Sequence, residues 1–183
     1  MTGGALTFLI GGARSGKSTL AVQMGEHHGG AVHFIATAEP FDDDLRERVQ
    51  RHRAERPASW TTAEVPVELA VAIADAPADA FVIVDCLTVW LGNLLVHVID
   101  SRRRTQYGHD MVAALRARAA AGAPTVVVSN EVGMGVHPDT ALGREYRDEL
   151  GRLNQLVAAT ADVSLLMVAG RALRLQSAWD LLR

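Results

Sequence analysis

The sequence predicts an α/β fold, a mostly parallel sheet covered by helices on both faces. Three observations predict it. Short runs rich in Val, Ile and Leu recur along the chain and alternate with segments of helical apolar spacing. A glycine-rich loop, GGARSGKS, joins the first such run to the first helical segment. A third run, FVIVD, ends in an acid at the edge where open α/β sheets bind ligands.

The elements follow in order. LTFLI (6–10) is a strand, and a helix runs from about Gly16 to His27. AVHFIA (31–36) is the next strand. A helix from about Asp42 to Glu55 follows, with Asp42, Asp43 and Asp44 placing a cap and favourable charge at its first turn. WTTAE (60–64) is a short strand before a helix near 66–75. FVIVD (81–85) is a buried strand. Leu87, Trp90, Leu91, Leu94, Leu95 and Val98 then recur at helical spacing. The polar stretch DSRRRTQYGHD (100–110) is expected to be a surface loop with a solvated arginine triplet, before a helix over 110–121. PTVVVS (124–129) is a strand, and Pro138 and Asp139 open a long helix to about Thr160. VSLLMVA (163–169) is a buried strand, LRL (173–175) a further edge strand, and the tail ends in a short helix. With no linker, repeat or low-complexity segment, residues 1–183 are expected to form a single domain.

On the long helix, Leu142, Tyr146, Leu150, Leu153 and Val157 form one stripe. Arg144, Arg147, Asp148, Gly151, Asn154 and Gln155 form the opposite, polar one. Charge is ordinary and slightly negative, at −3, which argues against a nucleic-acid surface. No apolar run approaches the roughly 20 residues that span a bilayer. LTFLI lacks the basic lead-in of a signal peptide. A single cysteine, Cys86, excludes an internal disulfide and fits a reduced cytoplasmic compartment.

GGARSGKS, residues 11–18, satisfies GxxxxGK[ST] in the required strand-to-helix context, so the sheet is expected to be of the P-loop NTPase, RecA-like type. Gly11 and Gly16 permit the tight turn. The amides of Gly12, Ala13, Arg14, Ser15, Gly16 and Lys17 can wrap a β-phosphate, Lys17 can bridge β and γ, and the Ser18 hydroxyl can ligate Mg²⁺. Lys17 is the only lysine, against seventeen arginines. Where arginine has replaced lysine elsewhere, the surviving lysine marks a need for a compact point charge on a flexible stem. Asp85 is the expected second metal group. NKxD is absent, the nearest segment being Ser129-Asn130-Glu131-Val132. Asp85-Cys86-Leu87-Thr88 also lacks the glycine of a DxxG switch. A regulatory GTPase is therefore disfavoured, and a small-molecule phosphotransferase remains.

His52 shares a helical face with Leu45 and Val49, among Arg48, Arg51, Arg53 and Arg56. Nearby cations disfavour the imidazolium, and the neutral ring is the nucleophilic form. Arginine forks also match phosphate oxygens. These residues suit either a ring that attacks a bound polyphosphate or an exposed basic helix with an incidental histidine.

Four blocks carry a resemblance: GGARSGKS, FIATAEPFDDDLRERVQRHRAERPASWTTAE, VDCLTVWLGNLL and VVVSNEVGMGVHPDTALGREYRDELGRLNQLVAATAD. In this order, from about residue 6 to 175, they resemble the bifunctional adenosylcobinamide kinase / adenosylcobinamide-phosphate guanylyltransferase family of cobalamin biosynthesis. The resemblance implies phosphorylation of adenosylcobinamide by ATP or GTP. Transfer of GMP from GTP through a guanylylated histidine would follow, and the matching histidine is His52. It implies nucleotide contacts at Gly11 to Ser18, at Ala36, Thr37 and Ala38, at Arg53, Ala54, Glu55 and Arg56, and at Glu64 and Asp85. It also implies a homotrimer with sites between subunits. A kinase without nucleotidyl transfer is the alternative. Arg174 stands where the family tends to have lysine, and SAWDLLR matches no family role.

Overall fold

The computed structural model describes residues 5–39 and 56–182. The predicted helix over 42–55, with His52, Arg53, Ala54 and Glu55, lies outside the described residues. Seven strands form one sheet: β1 (Leu6–Gly11), β2 (Val32–Ala36), β3 (Thr61–Glu64), β4 (Phe81–Asp85), β5 (Thr125–Asn130), β6 (Val163–Val168) and β7 (Arg171–Leu175). Their order is β3-β2-β4-β5-β1-β6-β7. All neighbours run parallel except β6 and β7, an antiparallel edge pair.

Side-chain alternation divides the core in two. Leu6, Phe8, Ile10, Val82, Val84 and Val127 face one layer; Leu9, Phe34, Ile83, Val126 and Val128 face the other. The second layer packs on α1 (Lys17–His28) through Ala21. The first packs on α2 (Leu69–Asp75), α3 (Leu87–His97), α4 (Ser101–Ala120) and α5 (Ala141–Ala158). Because helices cover both faces, β1 is buried at every position, which is why the parallel strands show unbroken apolar runs. Trp90 on α3 is fully buried, and its indole N–H donates to the Val67 carbonyl at 2.8 Å. Burying a large apolar side chain contributes about 1.5–3 kcal/mol, so this face carries much of the stability.

Four expectations are corrected. Residues 101–110 are not a loop but the first half of the 20-residue α4, capped by Asp100, whose Oδ1 accepts from the Arg102 N–H at 2.9 Å. Arginine and glutamine are good helix formers, so a polar run with a capping Asp is helical once one side packs. Nor is the arginine triplet wholly solvated, because Arg104 is buried. Its guanidinium bonds Glu149 and Glu145 of α5, and donates to the carbonyls of Val98 (2.9 Å) and Ile99 (2.7 Å). On α5, Leu142 of the apolar stripe is exposed, whereas Asn154 of the polar stripe is buried against β5. The helix also starts at Ala141, two residues beyond Asp139, where Thr140 caps it by accepting from Gly143 N–H.

Candidate nucleotide site

The carboxyl ends of the central strands converge. Ala36 is paired with Asp85 on one side and Glu64 on the other, Asp85 with Val128, and Asn130 with Gly11. This edge is where open α/β sheets bind ligands. A cavity of about 530 Å³ opens here. Its walls bring together Ala13 to Ser18, Ala36, Ala38, Arg56 and Asp85. Gly11, Gly12, Thr37 and Glu64 do not line it, though Gly11 and Glu64 end strands beside those that do.

The loop from Gly12 to Gly16 turns β1 into α1, with Gly16 in the left-handed region at the helix N-cap (φ 98°). That conformation suits glycine, and the first-turn N–H groups stay available to an anion. A side chain at Gly11 would overlap the Met167 carbonyl oxygen. Behind the loop lies the β6–β7 turn, whose Ala169 and Gly170 both take positive φ. The Gly170 N–H donates to the Ser15 carbonyl at 2.9 Å, so the edge hairpin braces the cradle.

The Lys17 ammonium is held by the Gly11 carbonyl (2.9 Å), the Gly12 carbonyl (2.7 Å) and Ser15 Oγ (3.3 Å). Burial lowers its pKa; the nearby acidic groups Cys86 and Asp85 pull it partly back. Asp85 and Ser18 share the cavity wall. This donor set fits a Mg²⁺ shared with nucleotide oxygens, since that ion is typically held by one or two protein groups plus phosphates. Among the described residues no cluster of three His, Cys, Asp or Glu offers an all-protein metal site. Arg56 closes one wall, with its guanidinium carbon 3.5 Å from the Phe34 ring centroid. This cation–π contact seats a fixed charge at the cavity wall.

The Asp85–Cys86 peptide is cis. Fully buried Thr37 grips Cys86 beside it: its Oγ1 donates to the Cys86 carbonyl at 2.8 Å and accepts from the Cys86 N–H at 3.0 Å. Asn93 on α3 donates to the carbonyls of Thr37 (2.7 Å) and Pro66 (3.1 Å), fastening the ends of β2 and β3 to one helix. Thr37 is thus positioned to fix the strand ends. Sequence reasoning did not assign Thr19, Cys86, Val89, Val128 or Asn130 to the site, though all of them line the cavity. Strand alternation was the available signal for the last two.

Burial pushes the Cys86 thiol up to about 11, with the Asp85 charge a second cause. Because the folded value lies above the ordinary 9.0, this thiol's stabilising contribution is complete below pH 9 and is lost as pH rises towards about 11. At pH 8, iodoacetamide should label native Cys86 roughly 100-fold more slowly than the urea-unfolded chain, from the thiolate fractions alone. Equal rates in the two states would refute the desolvated thiol.

A second cavity, about 520 Å³, lies among α3, α4 and α5 and is floored by Trp90, Leu94 and Leu153. Its buried cation, Arg104, is already paired with glutamates, so it offers less chemistry than the phosphate loop.

The fold and the lysine-bearing loop define a P-loop nucleotide-binding protein. Solved structures agree on the fold: the RadB recombinase superposes with TM-score 0.53 at 19% identity, covering 90% of this chain and 74% of that one. Flagellar accessory protein FlaH from Methanocaldococcus jannaschii gives 0.53 at 13% identity, covering 95% and 79%. The particular family is equally plain: the chain belongs to the cobinamide kinase / cobinamide phosphate guanyltransferase family, whose model matches residues 7–175. It is 41% identical to the bifunctional adenosylcobalamin biosynthesis protein CobP of Pseudomonas aeruginosa, over 88% of this chain and 92% of that protein. It is 35% identical to the corresponding CobU of Salmonella typhimurium, over 93% and 99%.

Proposed function

We propose that this protein is a bifunctional transferase. It phosphorylates adenosylcobinamide with ATP or GTP, then transfers GMP from GTP through His52 to give adenosylcobinamide-GDP. Family membership over residues 7–175 supports both reactions. The observation that carries the reading is the convergence of Lys17, Ser18, Asp85 and Arg56 on one cavity.

In the first reaction the substrate hydroxyl oxygen bonds the γ-phosphorus and gives up its proton to water, the bond from that phosphorus to the β-bridging oxygen breaks, and the diphosphate leaves. Such transfers depend on placement and charge stabilisation more than on covalent chemistry. The Gly12–Gly16 amides and the α1 N-terminus hold the phosphates, and Lys17 meets charge developing on the terminal group. Ser18 and Asp85 would hold Mg²⁺, which supplies neutralisation of phosphate charge when bound. In the second reaction His52 bonds the α-phosphorus of GTP and pyrophosphate leaves. A phosphate oxygen of the phosphorylated substrate then bonds that phosphorus as the P–N bond breaks. Two easier displacements replace one hard one. Arg53 and Arg56 would keep the ring neutral and meet phosphate oxygens. Arg56 on the cavity wall, four residues after His52, supports that placement.

The assembly is proposed as a homotrimer and the compartment as the cytoplasm. The exposed Val168, Leu173, Trp179 and Leu181, near the β7 edge and beyond it, support a surface covered by another copy. No helix among the described residues is long and apolar enough to cross a membrane.

Incubation with α-labelled GTP tests the proposal. An acid-labile, base-stable label is expected, and it should disappear in His52→Ala. An unlabelled wild-type protein that still phosphorylates cobinamide would reduce the function to a kinase.

A further inference from the structure

We infer that the Asn130 carboxamide contacts the terminal phosphate of a nucleoside triphosphate seated in the Lys17 cradle. The inference rests on reading the cavity as a triphosphate site. Asn130 ends β5, is the Cα partner of Gly11, and lines the same cavity as Lys17, Ser18 and Asp85. Alternation sets its direction. Val126 and Val128 face the α1 layer, whereas Val127 faces the four-helix layer and Ser129 bonds Asn154 of α5. Asn130, in step with Val126 and Val128, therefore turns its side chain to the face of α1 and the phosphate loop.

Its backbone is fixed from the opposite layer. The Asn130 N–H donates to Thr88 Oγ1 at 2.8 Å, and its carbonyl accepts from Asn154 Nδ2 at 3.0 Å. Asn154 is itself held by Ser129 Oγ at 2.7 Å, and Tyr146 donates to the Thr88 carbonyl at 3.0 Å. The next residue's N–H, on Glu131, donates to the Gly11 carbonyl at 3.1 Å, the same oxygen that receives Lys17. So many partners pin one strand end, yet the Asn130 carboxamide itself makes no hydrogen bond among the described residues. A partly buried amide carried on a fixed strand end, unused and lining the same cavity as the Lys17 ammonium, is placed to meet a ligand there. The group it can serve is an anionic oxygen next to Lys17, because Lys17 in this motif spans the β- and γ-phosphates. As a neutral donor it adds a bond without adding charge, which suits a contact that distinguishes tri- from diphosphate.

The test is equilibrium binding of β,γ-imido-GTP and of GDP, both with Mg²⁺, in a His52→Ala background so that no covalent transfer consumes the ligand. Asn130→Ala is expected to weaken the triphosphate analogue roughly 10-fold or more, as loss of a hydrogen bond to a charged group does, and to leave GDP within about twofold. Asn130→Gln, which keeps the amide but displaces it, should show the same selective loss and guards against a folding defect in the alanine variant. Equal losses for both nucleotides, or none, would overturn the inference. A parent protein that binds neither nucleotide would overturn the cavity reading with it. A selective loss in a protein that phosphorylates no cobinamide would leave the Asn130 contact standing and remove only the substrate assignment.

Discussion

Lys17→Ala is expected to lower kcat for cobinamide phosphorylation by a factor on the order of 10²–10³ or more, the scale of removing a preorganised charge-stabilising group. The ammonium sits where the Gly11 and Gly12 carbonyls and Ser15 Oγ fix it, at the mouth of α1. A charge already oriented there needs no reorganisation when the terminal phosphate gains charge. Lys17→Arg is expected to fail nearly as badly. The three acceptors surround a compact ammonium, and a planar guanidinium on a longer stem cannot occupy that point. A chain that carries seventeen arginines and keeps lysine only here makes the comparison direct. Steady-state assays with circular dichroism to verify folding decide it; an arginine variant within tenfold of wild type would contradict the point-charge argument.

Arg104→Ala is expected to destabilise the protein by about 3–5 kcal/mol, the cost of removing one partner of a buried ion pair. The loss falls on several groups at once. Glu149 is left mostly buried without its cation, and the Val98 and Ile99 carbonyls lose their donor. Hydrogen bonding to Glu149 is also the main reason the Arg104 pKa is raised, which marks that contact as the larger of its two carboxylate interactions. Glu145 is nearly half exposed, and Glu145→Gln should cost under about 1 kcal/mol. Arg104→Met combined with Glu149→Leu should recover most of the loss, because a buried pair replaced by apolar groups of similar volume is often neutral. Urea unfolding monitored by tryptophan fluorescence reads all three variants, and an Arg104→Ala midpoint equal to wild type would refute the buried-pair account.

The sheet was legible because parallel strands covered on both faces must be apolar at successive positions, as β1 and β4 are. The phosphate loop was legible because its glycines and lysine answer to local backbone geometry. Much of what failed depended on distant partners. Arg104 reads as a solvated charge until Glu149, 45 residues later, is brought beside it. Asn154 reads as surface until Ser129 and Asn130 meet it. The 101–110 segment lacks an apolar stripe because its inward contacts include an arginine and a glycine, Arg104 and Gly108. The idle amide of Asn130 became visible only when the neighbours fixing its backbone were known.

The β6–β7 hairpin props the phosphate loop almost wholly through main-chain atoms: the Met167 carbonyl against Gly11, the Gly170 amide on the Ser15 carbonyl. A support made of peptide groups is indifferent to side-chain identity. Mutation can therefore rewrite the outward residues of this edge, Arg171, Leu173 and Arg174 among them, to suit whatever surface they meet, while the catalytic floor beneath stays level.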